Sequence, residues 1–363
     1  MLAEQDETSA LLRQSAASFI KDMQARTDVN RSASWQDMVS LGWGGVLLPE
    51  AVGGSGLGIE HAAILMEVMG EHGFDTPLLT GVFLPSILLA DMRGDGARSL
   101  LERIADGSLQ APLAWQERIG QIDPETPATV LRQERLSGRK LFVPGVDTAA
   151  TLIVSVRTDD DEFALVAVLP QAGGVEVDAF DMNDGSRSAA IAFLDVEVGP
   201  ADVIATGPTA AEAMKRAMTA GALLRSAQLS GLARATLEST IRFLHQRSQF
   251  GQKLSGFQVL QHRVADLYGL TRLADASWNS ALCKYRQDPH SRETHIAVSA
   301  AKARCSDVAN QVAKAAIQLH GAFGFTADSG MGAALFTALA WSTSFGAAEA
   351  HRRKFHELSE AAA

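Results

Sequence analysis

The sequence is poor in the residues that build disulfide frameworks, metal centres and nucleic-acid surfaces. Its 363 residues include two cysteines, Cys283 and Cys305, too few for a framework and without the CxxC spacing of zinc or redox sites. Lys and Arg number 32 against 42 Asp and Glu, and this net charge of −10 argues against binding to phosphate backbones. We therefore predict no metal site and no nucleic-acid partner.

Membrane and export signals are also missing. No run approaches the ~20 apolar residues of a membrane helix. The first residues are acidic, whereas a signal peptide begins with a basic region followed by an apolar run. Hydrophobic residues make up 47%, too many for a disordered chain, and the length indicates two or three domains. We expect a soluble, cytoplasmic protein.

Proline is nearly absent from the second part of the chain. Ten of the 11 prolines lie at or before Pro208, and only Pro289 follows. The proline-free stretches place apolar residues at steps of three and four, which predicts amphipathic helices packed as a bundle. We predict helices near 209–246, 256–286, 291–321 and 330–358.

The middle of the chain has a different pattern. Short β-rich runs at 152–157, 163–169, 174–178 and 189–198 alternate with turn residues, which predicts an antiparallel β domain. The first ~110 residues return to helical periodicity. The predicted fold class is α+β, with an N-terminal helical domain (1–110), a middle antiparallel β domain (111–208) and a C-terminal four-helix bundle (209–363). Without alternation of strand and helix, a doubly wound nucleotide-binding sheet is not expected.

Three segments, taken in order, resemble a known family. They are LPEAVGGSG at 48–56, RSQFGQ at 247–252 followed by GFQ at 256–258, and QLHGAFG at 318–324. Together with the α–β–α order, they resemble the acyl-CoA dehydrogenase family of flavoproteins along essentially the whole chain. The resemblance implies an FAD cofactor and an acyl-CoA substrate. In that family a glutamate removes the α-proton while the β-hydrogen leaves as hydride to the flavin.

The resemblance also implies a set of cofactor-binding residues: Arg247, Phe250, Gln258, Gln318, His320 and Gly321. The chemistry of Arg247 supports part of this set, because a guanidinium binds a diphosphate through two parallel hydrogen bonds, which Lys cannot do. The alternative for Arg247 is a solvated arginine at a helix end.

The catalytic base of the family has no counterpart in this sequence. Counting from Gln318, the usual glutamate position is Phe345, whose ring has no titratable group. The position used by other members, counted back from Arg247, is Gly221. Glu349, one helical turn after Phe345, is the remaining candidate base, and its alternative is a surface carboxylate near helical cations.

The segments that hold the flavin ring in the family are also altered. Gln116 stands where the threonine of Thr-Glu-Pro would be, and Pro144 where the threonine of Trp-Ile-Thr would be. Proline has neither an N–H group nor a hydroxyl to donate to the flavin. Trp115 could stack on a flavin ring or could be a core residue.

These departures form a pattern. The chain keeps the segments that hold the neighbouring subunit's cofactor in family dimers, and lacks the parts that serve its own. Its ending is also similar to the small subunits of heterotetrameric (α2β2) bacterial members. We expect a non-catalytic subunit that shares FAD with a homologous catalytic subunit, for α,β-dehydrogenation of a bulky acyl-CoA, steroid-derived or dicarboxylic.

Two other interpretations stay open. The chain could be a self-sufficient flavoenzyme of the same fold, with a displaced base or a flavin chemistry other than dehydrogenation. It could also be a structural or regulatory homologue that binds neither FAD nor acyl-CoA.

Overall fold

The computed structural model describes residues 7–25 and 31–360, and these residues form two compact units. The helical unit contains the described residues of Met1–Lys21, Ala63–Asp75 and Ala222–Ala363, and the sheet unit contains those of Asp22–Ala62 and Thr76–Gly221. The division into three domains near 110 and 208 stays a prediction.

The predicted order of helices, strands and helices is confirmed. The first helices are α1 (Glu7–Ala25), α2 (Arg31–Ser40), α3 (Ile59–Glu71), α4 (Leu84–Leu89) and α5 (Asp95–Ala105). A π-helical segment, Leu78–Phe83, leads directly into α4. The glycine-rich segment at 53–58 is a loop that leads into α3.

The middle of the chain forms one eight-stranded sheet. Its strands are β1 (Leu113–Ala114), β2 (Val130–Arg132), β3 (Arg135–Pro144), β4 (Leu152–Arg157), β5 (Phe163–Val168), β6 (Val175–Asp181), β7 (Arg187–Glu197) and β8 (Val203–Thr206). They lie in the order β6-β7-β3-β2-β4-β5-β8, with β1 beside β4.

The prediction of a purely antiparallel sheet needs one correction. β1 and β2 both pair with β4 in parallel, so the sheet is mixed. Both strands are short, with two and three residues, and neither was predicted. β3 and β8 also lie outside the predicted runs. The sheet's buried core includes Val154, Val166 and Ile191 of predicted strands together with Ala114 of β1 and Leu136 of β3.

The second helical region contains α6 (Gly207–Gln246), α7 (Gln258–Gln287), α8 (Arg292–His320), α9 (Met331–Thr343) and α10 (Ala348–Glu360). The prediction of one helix over 330–358 is wrong. Phe345 and Gly346 have φ angles of 57° and 106°, which a right-handed helix cannot contain, so α9 and α10 are separate. No described helix combines the length and the apolar character needed to cross a membrane.

Within the helical unit, α3 and α6 cross with their backbones almost in contact. A Cβ on Gly231 would lie 2.2 Å from the Glu67 carbonyl oxygen, so only glycine fits there. Beside this crossing, Arg234 of α6 binds Glu67 of α3 at 2.8 Å and Asp275 of α7 at 3.1 Å. The three helices are therefore joined by close packing and by a partly buried ion-pair network.

Candidate functional site

Arg247 and Phe250 lie on a small hairpin that follows α6. The strands β9 (Ser248–Gln249) and β10 (Gln252–Lys253) pair across a two-residue turn, and the Leu254 amide donates to the Arg247 carbonyl at 2.9 Å. Both turn residues have positive φ, 54° at Phe250 and 82° at Gly251, as a type I′ turn requires. The Phe250 ring is 90% exposed at the tip. An aromatic residue in this backbone conformation is unfavourable for folding, which points to a functional role.

The end of α8 lies beside the end of α6. His320, the last residue of α8, stacks on Phe243 of α6 with ring centroids 4.2 Å apart. The His320 ring is buried, and its Nδ1 donates to the Ala316 carbonyl at 2.8 Å. This stacking brings the segment that contains Gln318 and Gly321 close to the segment that begins at Arg247.

The other predicted cofactor residues face solvent. Arg247, Gln258, Gln318 and Gly321 are exposed, and the Arg247 guanidinium forms no ion pair or hydrogen bond within the described ranges. A Cβ on Gly321, where φ is 61°, would meet nothing within 4 Å, so a ligand can approach its backbone. A guanidinium and exposed amides fit the diphosphate of FAD. His320 differs from the set, because its ring is buried behind the surface.

In the loop at 116–121, which matches the family's first flavin-ring segment in the resemblance, several hydrogen-bond donors bind acceptors of the same loop. The Gln116 side-chain amide donates to the Arg118 carbonyl at 3.0 Å. The Glu117 and Arg118 backbone amides both donate to Oε1 of Gln121, at 2.7 and 3.2 Å. Trp115 is only 9% exposed, so the structure places it in the core of the sheet unit. This loop has few groups left for a flavin ring.

A buried ion pair anchors the same loop to the sheet. Nζ of Lys140, on β3, lies 2.7 Å from Oε1 of Glu117 and 3.1 Å from the Ser155 hydroxyl. Burial lowers the pKa of Lys140 to about 8 despite this carboxylate. Burial alone would raise the pKa of Glu117, but the Lys140 charge and hydrogen bonds from Lys140 and the 128–129 segment outweigh it, so that pKa is lowered.

The second flavin-ring segment of the family is irregular here. Phe142 has a φ of 53°, and the pairing of β3 with β7 shifts register between Lys140 and Val143. The Phe142 ring packs edge-on against Phe180, with centroids 6.0 Å apart. Pro144 ends the strand without an N–H group.

Phe345 lies in the tight break between α9 and α10. Its carbonyl accepts a hydrogen bond from Nε2 of His351 at 2.8 Å. Nζ of Lys302, on α8, donates to the carbonyls of Ser342 and Gly346 at 2.9 and 3.0 Å. Two buried side chains therefore hold the backbone of the break in place.

A lysine and a histidine lie at the break that contains Phe345, and burial lowers the pKa of both. Burial, together with the nearby Arg225 charge, lowers the pKa of Lys302 to about 7. Burial and the Lys302 charge lower the pKa of His351 to about 3, so its ring is neutral at pH 7 with the proton on Nε2. Glu349 is exposed on the first turn of α10, and Gly221 is buried in α6. The exposure of Glu349 fits the alternative interpretation, in which it is a surface carboxylate.

Neither of the two buried lysines was predicted from the sequence. Lys302 occupies the apolar stripe of α8, three residues before Cys305 and four after Val298, and a lone lysine in such a stripe could have marked it. Lys140 had no comparable signal, because three of the first six residues of β3 are charged.

Comparisons with known proteins agree with this architecture. Residues 3–92 match the acyl-CoA dehydrogenase N-terminal domain, and residues 211–357 match the acyl-CoA dehydrogenase C-terminal domain. The acyl-CoA dehydrogenase FadE28 of Mycobacterium tuberculosis is 28% identical over 273 residues, which cover 74% of this chain and 77% of FadE28.

Two solved structures share the whole fold. A variant of the Tcur3481-Tcur3483 steroid ACAD is 25% identical, with a TM-score of 0.85 and 98% of each chain covered. The ChsE4-ChsE5 complex from Mycobacterium tuberculosis is 20% identical, with a TM-score of 0.85 and 99% of each chain covered. The second similarity concerns the fold alone.

Proposed function

Because the chain belongs to the acyl-CoA dehydrogenase family of FAD-dependent oxidoreductases that act on CH–CH bonds, we propose that it is the non-catalytic subunit of a heteromeric member. In this assembly it completes an FAD site that it shares with a homologous catalytic subunit. That subunit supplies the base and the contacts to the flavin ring.

One observation carries the proposal. The residues that suit the diphosphate of FAD are exposed at the ends of α6 and α8, whereas the position of the family's base is Phe345, in a break held by Lys302 and His351. A phenyl ring cannot take a proton from carbon. A chain with exposed residues for the diphosphate, but with phenylalanine at the position of the base, fits a subunit that binds the cofactor while another chain carries out the chemistry.

Each residue of the exposed set has a distinct role in the proposal. Arg247 binds the diphosphate through paired charge-assisted hydrogen bonds. The Gln258 and Gln318 amides add polar contacts, Gly321 lets the ligand approach the backbone, and Phe250 covers the ligand with its ring. The bound FAD supplies the hydride acceptor for the β-carbon.

The proposed substrate is a bulky acyl-CoA, with a steroid-derived acyl group ahead of a dicarboxylic one. The similarity to the Tcur3481-Tcur3483 steroid ACAD, over 98% of both chains, supports this order. The ChsE4-ChsE5 complex, which shares the fold, supports an assembly of two different chains. We propose an α2β2 heterotetramer in the cytoplasm.

The test measures the flavin content of the purified complex after Arg247→Ala. The partner is the homologue with glutamate at the position that matches Phe345, co-expressed with this chain. Loss of a charge-assisted hydrogen-bond pair, worth about 1.5–3 kcal/mol, should weaken FAD binding about 10- to 100-fold.

Arg132→Ala, at an exposed arginine that ends β2, is the matched control and should leave the flavin content unchanged. Full flavin content in a complex that carries Arg247→Ala would refute the proposed role of this face. That result would favour the interpretation in which this chain is a structural or regulatory homologue that binds no cofactor.

A further inference from the structure

The final turns of α8 carry a single Lys and no other Asp, Glu or Arg. Between Asp307 and Asp328, that lysine is Lys314. Lys314 is exposed, and its ammonium forms no hydrogen bond or ion pair with any residue that the structure describes. Asp307, the nearest carboxylate along the chain, binds Arg352 of α10. Lys314 is therefore an uncompensated cation on a long, regular helix.

Lys314 lies on the same side of α8 as two residues of the candidate FAD site. Each residue of an α-helix turns by about 100°, so Gln318 lies about 40° from Lys314 around the helix axis. Gly321, where the helix ends, is the next residue along the same side, and all three residues are exposed. The Cβ atoms of residues four apart are about 5–6 Å from each other, which places the ammonium of Lys314 within reach of a ligand at Gln318.

The electrostatics of this end of the helices require more than one cation for an anionic ligand. α6 and α8 both end there, and the C-terminus of a helix carries a partial negative charge that repels phosphate. α7 begins there at Gln258, and its positive N-terminus offsets one of the two. A diphosphate carries two negative charges, whereas Arg247 supplies one positive charge.

We propose that Lys314 binds the diphosphate of FAD together with Arg247, so that two cations neutralise its two charges. This role rests on the proposed function, and it adds a residue of α8 to the set that the resemblance implies. The lysine ammonium acts as a point charge, while the Arg247 guanidinium provides the paired hydrogen bonds.

The hairpin after α6 carries another exposed lysine that serves as the matched control. Lys253 lies opposite Ser248 in the hairpin. Successive side chains of a strand point to opposite faces, so we expect Lys253 on the other face from Arg247. Lys253 has the same charge as Lys314 in the same part of the helical unit, but not the same position.

The experiment titrates FAD into the flavin-free complex of this chain with its catalytic homologue, and flavin fluorescence gives the dissociation constant at low salt. Lys314→Met keeps the unbranched side chain without its charge and should raise the dissociation constant about 3- to 10-fold. Lys314→Arg should retain the wild-type affinity, and Lys253→Met should leave it unchanged. The thermal midpoint of each complex verifies folding.

Two further readouts identify the diphosphate as the group that Lys314 binds. The dissociation constant of the wild type should rise more steeply with salt than that of Lys314→Met, because the variant has one charge contact fewer to screen. ADP, which carries a diphosphate without the flavin, should lose affinity for Lys314→Met by the same factor as FAD.

The outcomes separate this role from the proposed function. Unchanged FAD affinity in Lys314→Met, in a complex where Arg247→Ala weakens binding, would overturn the role of Lys314 alone. An equal loss in Lys253→Met would overturn it as well, because surface charge in general would then explain the effect. A loss for FAD without a loss for ADP would exclude the diphosphate as the group bound. Unchanged affinity in Arg247→Ala would refute the proposed FAD face itself, and the role of Lys314 with it.

Discussion

The two ends of the expected cofactor machinery differ in what they do with their polar groups. At the ends of α6 and α8, Arg247 and Gln318 are exposed, and the Arg247 guanidinium has no partner within the described ranges. In the sheet unit, the amide of Gln116 is bound within its own loop, and at Phe345 the polar groups hold only backbone. The polar groups of the first region face solvent, and those of the second bind within the chain.

Hydrogen bonds from buried lysines hold both segments of the second region. Lys302 and His351 hold the backbone of the break at Phe345. The Glu117–Lys140 pair holds the loop at Gln116. The supports of both segments are internal, so they do not depend on a bound cofactor.

The largest expected effect comes from breaking the support of the Gln116 loop. Glu117→Gln leaves Lys140, which is fully buried, without its counter-charge, and should lower the free energy of unfolding by about 3–5 kcal/mol. Urea unfolding measures it. The double variant Glu117→Gln/Lys140→Met should recover most of the loss, because no buried charge remains. A single variant of wild-type stability would show that this loop is not a structural element.

An intermediate effect is expected from Lys302, which holds the break at Phe345. Folding lowers the pKa of Lys302 from 10.5 to about 7, so the unfolded chain binds more protons between these values. Stability should therefore rise with pH across this window, by up to about 1.4 kcal/mol per pH unit for this one group.

Lys302→Met removes this contribution, and urea unfolding at pH 7, 8 and 9 compares the two slopes. Lys140 titrates in the upper part of the same window in both proteins and so cancels in the comparison. Arg225, Cys305 and His351 surround Lys302 and are unchanged in the variant. If the free energy of unfolding had the same pH dependence in both proteins, the pKa of Lys302 would not be lowered by folding, and the prediction would be wrong.

The smallest effect on stability separates the two regions most sharply. Phe250 and Phe345 are both phenylalanines with positive φ, 54° and 57°. Asn suits this conformation better, so Phe250→Asn should raise stability by about 0.5–1 kcal/mol while it lowers the FAD content of the complex. Phe345→Asn should leave the FAD content unchanged. If both or neither altered the FAD content, the proposed division between the regions would be wrong.

The sequence predicted the long elements well, because their signals are local. The helices α6, α7 and α8 begin and end within two residues of the predicted bounds, where Pro289 and Gly321 interrupt the helical pattern. β1, β2 and β8 were missed, because two to four residues give no measurable period. β3 was also missed, because three of its ten residues are charged and it has no apolar run of a strand's length. The break at Phe345 was missed, because phenylalanine does not favour positive φ and only tertiary contacts impose it.

The candidate site was predictable as a set of residues and not as a set of contacts. The resemblance identified Arg247 and Phe250, but nothing in the sequence indicates that Phe250 is exposed at the tip of a two-residue turn. The contact of Lys302 with the carbonyls of Ser342 and Gly346 joins residues 40 and 44 positions apart. Such contacts depend on how helices pack, which periodicity does not determine.

The flavin content of the purified chain, measured with and without its catalytic homologue, tests the central claim most directly. An absorption spectrum of the chain alone should show little flavin, and the co-purified complex should contain about one FAD per heterodimer. A chain that is yellow and oxidises an acyl-CoA by itself would contradict the claim, because one subunit would then supply every part of the site.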